Sequence, residues 1–362
     1  MGPRGVWQAW EAEISRVRST VGVWQRHALA LCRLGVAPAT QCGLARAAAV
    51  EPGLGLVPST TRRFERLLAS ARLDVRAARG EVVAAVLGTG RGQPCWLALE
   101  ETHQGRTATG ARLSMVALRR VYRERAIPRT GICSRSGAAP ASFTVLLGRR
   151  SNEVAALLPP DARVVLMTAR GLAWPARFDQ CRRGGWSFLC RVQRQTRVQT
   201  ADGHDGTSGD PAPRPGTRWQ GHGRAFLKSG WRDLSIVAGW RRGDEPPWRL
   251  VTDLRPAWVR GTQYRHRMDA AESFRDDKSS AFDWNASRVH DPAHLDRLVL
   301  VRQLAALFVL VQGVVVLQHG SRRVLERLDR RTLSRFSRGL RWRDRARSHL
   351  VRLDPSLSLP FP

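Results

Sequence analysis

The residues best suited to chemistry lie in two places. The first is 264–284, YRHRMDAAESFRDDKSSAFDW, whose spacing predicts a helix ended by a Ser-Ser break. At 3.6 residues per turn, Tyr264, Arg267, Ala271, Phe274 and Lys278 share one face. A tyrosine, two cations and an aromatic ring make a poor core face and suit a site that holds phosphates; taken alone, the stretch also fits a solvated charged helix. The second place is the end of the apolar run CWLAL, 95–99, where Glu100, Glu101 and Thr102 follow. Acids at the end of the first of three successive strands open an α/β domain, and strand alternation sends Glu101 to the face opposite Glu100.

The rest of the composition says what such groups would work on. The chain has 362 residues, 43% hydrophobic and 25% charged, enough for two or three cores. Sixty Lys+Arg against 30 Asp+Glu give a formal net charge of +30, which favours a polyanionic partner. Apart from Lys228 and Lys278 the cations are arginines. Arginine pairs bidentately with phosphate and so suits DNA, although a GC-rich coding bias would also raise it. Six cysteines, Cys32, Cys42, Cys95, Cys133, Cys181 and Cys190, form no C-x-x-C pair and no Cys/His zinc spacing, and read as buried thiols of a reducing cytoplasm. No apolar run follows Arg4 and Trp7, so no signal peptide is expected. The glycines of GTGRGQP, 88–94, are not followed by Gly-Lys-Ser/Thr, which argues for a linker and against a phosphate loop.

These groups must be positioned by the elements around them. Residues 1–88 read as a helical N-terminal domain with possible DNA binding: Trp7, Trp10, Ile14 and Val17 recur at helical spacing, and Pro58 and Thr60 could cap a helix with Phe64, Leu67 and Leu68 inward. Residues 95–192 read as three strands, a helix over 143–158, the strand RVVLM at 163–167, a helix over 173–183 and a strand over 186–192. Residues 193–261 read as a β-rich insertion with a Gly/Asp/Pro loop at 200–216, strands over 224–228, 231–240 and 248–252, and a hairpin turn at Arg242, Gly243 and Asp244. Residues 262–320 hold the charged helix and a long apolar one over 293–317. That apolar run is long enough to span a bilayer, but Arg302 and Gln303 inside it favour a buried core helix and no membrane. Residues 321–362 form a basic tail, helical and amphipathic over 321–349. The expected fold class is α/β: a mixed sheet in βββαβαβ order, resembling an RNase H-like core, interrupted by the β-rich insertion and flanked by the N-terminal helical domain and C-terminal helices.

Three stretches together resemble the DDE transposases of bacterial insertion sequences, in the insertion-sequence-four group. They are LALEETHQGRTATGARLSMVALRRVYRERAIP (97–128), VVLMTARGLAWPARFDQCRRGGWSFLCRVQ (164–193) and the charged helix itself. In this family the first strand ends in Asp, the second segment carries Asp-Arg-Gly, and the helix carries Tyr-Arg-Glu-Lys with two, three and six residues between. Tyr264, Arg267 and Lys278 match that spacing. The resemblance covers nearly the whole chain from about residue 60, including the insertion between the second and third acids.

It implies three carboxylates holding Mg²⁺ or Mn²⁺ for in-line phosphoryl displacement on DNA. It also implies that Tyr264, Arg267 and Lys278 contact phosphates near the cut, that the partner is double-stranded DNA at terminal inverted repeats, and that a homodimer assembles on it in the cytoplasm, associated with the nucleoid. At the three acid positions this chain has Glu100, Ala169 and Ala271. An alanine side chain ligates no metal. Asp161 lies at the other end of the strand from Ala169, Asp179 is on the next helix, and Glu272 is rotated by about 100° from position 271. The expectation is a transposase-family protein that binds DNA and is catalytically impaired. The alternatives are an active enzyme whose catalytic and metal-binding acids are Glu100 and Glu272, or a non-enzymatic basic DNA-binding protein such as a repressor.

Overall fold

The computed structural model describes residues 12, 22–50, 55–87, 94–106, 109–110, 112–122, 125–135, 148, 151–156, 158–159, 161–241, 243, 247–259, 261–276, 278, 281–327, 329, 332–349 and 353–354. Several features expected above fall outside these residues: the stripe from Trp7 to Val17, the linker glycines at 88–93, most of the 143–158 helix, Arg242 and Asp244 of the hairpin turn, and the last residues of the tail. The side chains of Phe274 and Cys133 are likewise outside the description.

The centre is a 10-stranded mixed sheet in the order β3-β2-β1-β4-β5-β10-β9-β8-β6-β7. Its first strands are β1 (Cys95–Arg106), β2 (Arg112–Tyr122), β3 (Arg125–Arg135), β4 (Val164–Thr168) and β5 (Ser187–Arg191). β1 is antiparallel to β2, and β2 to β3, whereas β1, β4 and β5 run parallel. Parallel strands need a crossover and are covered on both faces; accordingly every residue of β4 is buried. The crossover from β4 to β5 is helix α5 (Pro175–Arg183). Pro175 starts it where no N–H is required. Gly184 and Gly185 end it, the Gly184 N–H donating to the Gln180 carbonyl at 3.1 Å and the Trp186 N–H to the Cys181 carbonyl at 2.9 Å.

The segment expected as an insertion continues this same sheet. It contributes β6 (Arg197–Thr200), β7 (Asp205–Thr207), β8 (Arg218–Ala225), β9 (Arg232–Gly239) and β10 (Trp248–Thr252). β10 lies antiparallel between β5 and β9. The Gly/Asp/Pro segment at 200–216 is therefore not all loop: β7 lies in it. β7 is held by the Asp210 carboxylate, which accepts from the Thr207 N–H at 2.6 Å and the Thr207 hydroxyl at 2.9 Å. A three-residue strand carries no alternation to detect.

The sheet has two packed faces. One buries Leu97, Leu99, Leu166, Phe188, Cys190 and Val251 under α5. The other buries Ala98, Val165, Met167, Leu189 and Leu250 under helix α6 (Gly261–Arg275). α6 is α-helical to Arg275, and Lys278 lies just beyond it in a π-helical turn.

The largest core is helical. α1 (Val23–Ala39), α2 (Leu44–Val50), α3 (Val57–Ala69) and α4 (Val75–Leu87) pack around the 27-residue α7 (Pro292–Gln318). In α3, Phe64, Leu67 and Leu68 point inward, but Thr60 is buried one turn into the helix rather than capping it. α7 starts on Asp291, whose side chain accepts from the His294 N–H, with Pro292 at the first turn. Although α7 is long and apolar enough to cross a membrane, 89% of its most apolar window is buried inside the protein. Its polar residues are met from the segments around it. Arg302 stacks over Trp284 at 5.2 Å, Gln303 accepts from Arg79 Nε at 3.3 Å, and Gln312 exchanges hydrogen bonds with the Asp354 backbone at 2.7 and 3.2 Å.

The basic tail is not one amphipathic helix. A short 3-10 turn (Ser321–Val324) is separated from α8 (Arg335–Ser348), and Glu326 fills the break. Its carboxylate accepts from Arg322 Nε and Arg338 Nε, each at 2.7 Å, and from the Leu333 N–H at 3.1 Å. Burial pushes this carboxyl up, but those bonds outweigh it and hold its pKa at about 2.

α8 crosses α7 backbone to backbone. A Cβ on Gly313 would run into the Arg335 carbonyl, and one on Gly339 into the Val309 carbonyl. Gly313→Leu should lower stability by at least about 1–3 kcal/mol, the usual effect of overpacking. Chemical denaturation at matched slope would measure it, and an unchanged midpoint would mean that the crossing is not this close.

Candidate functional site

The site begins with register. Leu99 of β1 pairs with Thr168 of β4, Thr168 with Cys190 of β5, and Arg191 with Leu250 of β10. One residue beyond the Leu99–Thr168–Cys190 row, where the parallel ladder stops, Glu100, Ala169 and Arg191 stand side by side; β4 and β5 end here, while β1 runs on to Arg106 against β2. Strand alternation puts each on the face of Ala98, Met167 and Leu189, the face that α6 covers. Ala169 keeps an extended backbone (φ −76°, ψ 170°), so the row continues through it.

α6 is bolted to this row. Tyr264 is 1% exposed, and its hydroxyl donates to the Thr168 carbonyl at 3.0 Å. Its ring meets Trp248 edge-on at 5.7 Å. Burial pushes the phenol above its ordinary range. Tyr264 is thus a structural pin, which corrects the expectation that it faces a DNA phosphate: the start of α6 lies against β4, where the ring is enclosed. Farther along, Ser273 Oγ accepts from the Ala126 N–H at 2.8 Å and joins α6 to β3.

Arg267, one turn on from Tyr264, reaches the sheet. Its Nη2 lies 2.9 Å from Glu100 Oε1, the Glu100 side chain being 4% exposed and that of Arg267 18%. Neither Glu100 oxygen accepts a hydrogen bond, so the pair is held by charge. Arg119, 1% exposed on β2 and paired in register with Ala98, lies on the same face. Burial raises the Glu100 pKa; Arg267, Arg119 and Lys278, in that order, oppose the rise. Burial in turn holds Arg119 down at about 10 against the pull of Glu100 and Asp276.

This donor set does not fit a divalent metal. A two-metal centre needs several converging oxygens, and here one carboxylate faces two guanidiniums and an ammonium. The neighbouring positions are methyl groups, Ala169 in the row and the half-buried Ala271 on α6. Among the described residues no three His, Cys, Asp or Glu side chains come together. The other acid expected at the site, Glu272, is 39% exposed and ion-paired along the helix with Arg275. Glu101 is exposed, one residue on from Glu100.

The structure therefore brings together Glu100, Ala169, Tyr264 and Arg267, with Lys278 exposed but close enough to act on the Glu100 carboxyl. It does not bring Glu272 to Glu100 as a pair. Sequence reasoning missed Arg119 and Arg191. Their signal was available: each is a cation at the end of an apolar run, VALRRV and FLCRV, in a strand buried on both faces.

No family model matches the sequence, and no curated protein matches it. Among solved structures, the chain is similar to piggyBac transposase in its synaptic complex with hairpin DNA, solved by cryo-EM. The identity is 11%, the match covers 95% of this chain and 78% of that one, and the TM-score is 0.44.

Two outcomes are expected from the site. Arg267→Gln leaves the Glu100 carboxylate buried without its nearest cation, a loss on the order of 3 kcal/mol at pH 8. The folded-state pKa of Glu100 is already raised, so the folded state binds this proton more tightly than the unfolded one. Stability then falls as pH climbs from the ordinary carboxylate range through the folded value, and Arg267→Gln should be closer to wild type at pH 5. Equal losses at both values would deny the pair. Secondly, adding Mn²⁺ or EDTA should leave Tm unchanged, because only a ligand of the folded state raises it; a rise that saturates with Mn²⁺ would reveal a site.

Proposed function

We propose that this chain is a DNA-binding protein of the DDE-transposase type, in the insertion-sequence-four group, whose metal-dependent phosphoryl transfer is lost or strongly impaired. The observation that carries this is the row Glu100–Ala169–Arg191 under α6, with Arg267 seated against Glu100. Acids on neighbouring strand ends, and on the helix above them, are what the family chemistry needs. In this reading the three acid positions are Glu100, Ala169 and Ala271, and two of them carry methyl groups. The succession of β1, β2, β3, the helical residues 151–155, β4, α5 and β5 is the βββαβαβ order of an RNase H-like core and supports that reading of the sheet.

Mg²⁺ or Mn²⁺ would supply Lewis-acid stabilisation of the attacked phosphate in an intact member of the family. In this chain the groups left at that place are cationic. Arg267 neutralises Glu100, Arg119 lies beside it, and Lys278 is exposed at the rim. Together with the net charge of +30, they favour holding a phosphodiester over cutting one. The setting is a cytoplasmic, nucleoid-associated one, with terminal inverted repeats as the DNA and two copies of the chain on paired ends.

The purified protein, incubated with plasmid carrying candidate terminal repeats and Mg²⁺ or Mn²⁺, should shift the DNA in a gel without nicking or joining it. Robust cutting would overturn the proposal. If cutting occurred and Glu272→Gln abolished it, an enzyme working with Glu100 and Glu272 would replace this reading.

A further inference from the structure

The row of strand ends continues past Glu100 and Ala169 into a concentration of arginines that the reading above does not use. Arg191 ends β5 on the α6 face. Arg249 precedes Leu250, the cross-strand partner of Arg191, and so starts on the opposite face of β10, one residue nearer the rim. Arg170 occupies the 3-10 turn (Arg170–Leu172) that leaves β4, at the edge between the faces. Arg194 lies in the turn that leaves β5. The four therefore gather where β4, β5 and β10 meet the rim of the sheet.

Two of them are largely enclosed, Arg191 and Arg249 being 9% exposed each. Arg191 donates from Nη2 to the Pro247 carbonyl at 3.0 Å, which fixes its direction along the sheet edge. Arg170 and Arg194 are exposed. Burial lowers Arg191 and Arg249 below the ordinary arginine range; for Arg191 Tyr264 opposes the fall and Arg170, Arg249 and Arg267 add to it, while Arg194 and Arg170 add to that of Arg249. The acids nearby are already engaged. Asp210 also acts on Arg249, but its carboxylate accepts from Thr207 and lies 3.6 Å from His204 Nε2, while Glu100 is held by Arg267.

Like charges held at one rim, two of them enclosed, raise the free energy of the protein. An anion seated among them removes that repulsion, and a phosphate offers the planar guanidinium fork the oxygens it pairs with best. A solvated arginine surface, the ordinary result of an arginine-rich composition, would leave all four side chains exposed, which is not what Arg191 and Arg249 do.

We propose that Arg170, Arg191, Arg194 and Arg249 form one phosphate-holding locus that takes a backbone phosphodiester of duplex DNA at the strand-end rim, beside the place where the family's acids would stand. The inference rests on the DNA-binding reading above and adds where the backbone is gripped.

The test is fluorescence anisotropy of a short labelled duplex across a salt titration. It compares wild type, the exposed pair Arg170→Gln/Arg194→Gln, and a control of equal charge loss, Arg323→Gln/Arg327→Gln, in the turn between α7 and α8. Equal melting temperatures confirm that all three are folded. Removing two phosphate contacts should weaken binding roughly tenfold or more and flatten the log–log salt slope by about two, against a small change for the control. Equal loss in both variants, or no loss in the first, overturns the locus while leaving DNA binding in place. Displacement of the duplex by inorganic phosphate at constant ionic strength would reassign the locus to a small anion. No binding by wild type removes the DNA reading itself and the inference with it.

Discussion

The contact of Arg267 with Glu100 decides much of the rest. A carboxylate this enclosed is costly to keep ionised, and a guanidinium at 2.9 Å is the compensation the fold provides. Because Arg267 comes from α6, the compensation also sets where α6 lies, one turn after Tyr264 pins the same helix to the Thr168 carbonyl. Two polar contacts thus place a helix whose own apolar stripe is weak, and they aim it at the ends of the parallel strands.

The same logic of buried cations recurs away from the site. Arg302 lies over Trp284, Arg33 over Phe308 at 5.1 Å, and Arg79 bridges α4 to Asp296 at 2.8 Å. In each case a guanidinium ties an N-terminal helix or the segment before α7 to α7, or the reverse. An arginine-rich chain has used its cations as internal fasteners as well as surface charge, so net charge alone overstates the number available to a polyanion.

Much of the architecture was legible from residue patterns. Apolar runs such as RVVLM and the stripe in α3 lie where they were read, because burial on a strand or on one helix face leaves a period in the sequence. At the site, the sequence carried the one-turn spacing of Tyr264 and Arg267, which the fold seats against the Thr168 carbonyl and Glu100. What the pattern did not carry was direction: a tyrosine and an arginine on a charged helix read as outward, and one hydrogen bond and one ion pair turned them in. The continuity of the sheet through β10 was hidden for a related reason. The strand WRLVT reads alike whether it pairs within an insertion or joins the central sheet, since pairing is a long-range choice. Arg191 and Arg119 went unremarked because cations that end an apolar run read as the solvated end of a strand, whereas these two are buried.

That continuity bears on how the chain can be cut. β10 seals one side of β5. Without residues 193–261 the last parallel strand would present a row of bare N–H and C=O groups flanked by Phe188, Leu189 and Cys190. Such an edge recruits strands from other molecules. The β6–β10 segment is therefore also the sheet's guard against edge-to-edge pairing, and a shortened chain would expose an open template.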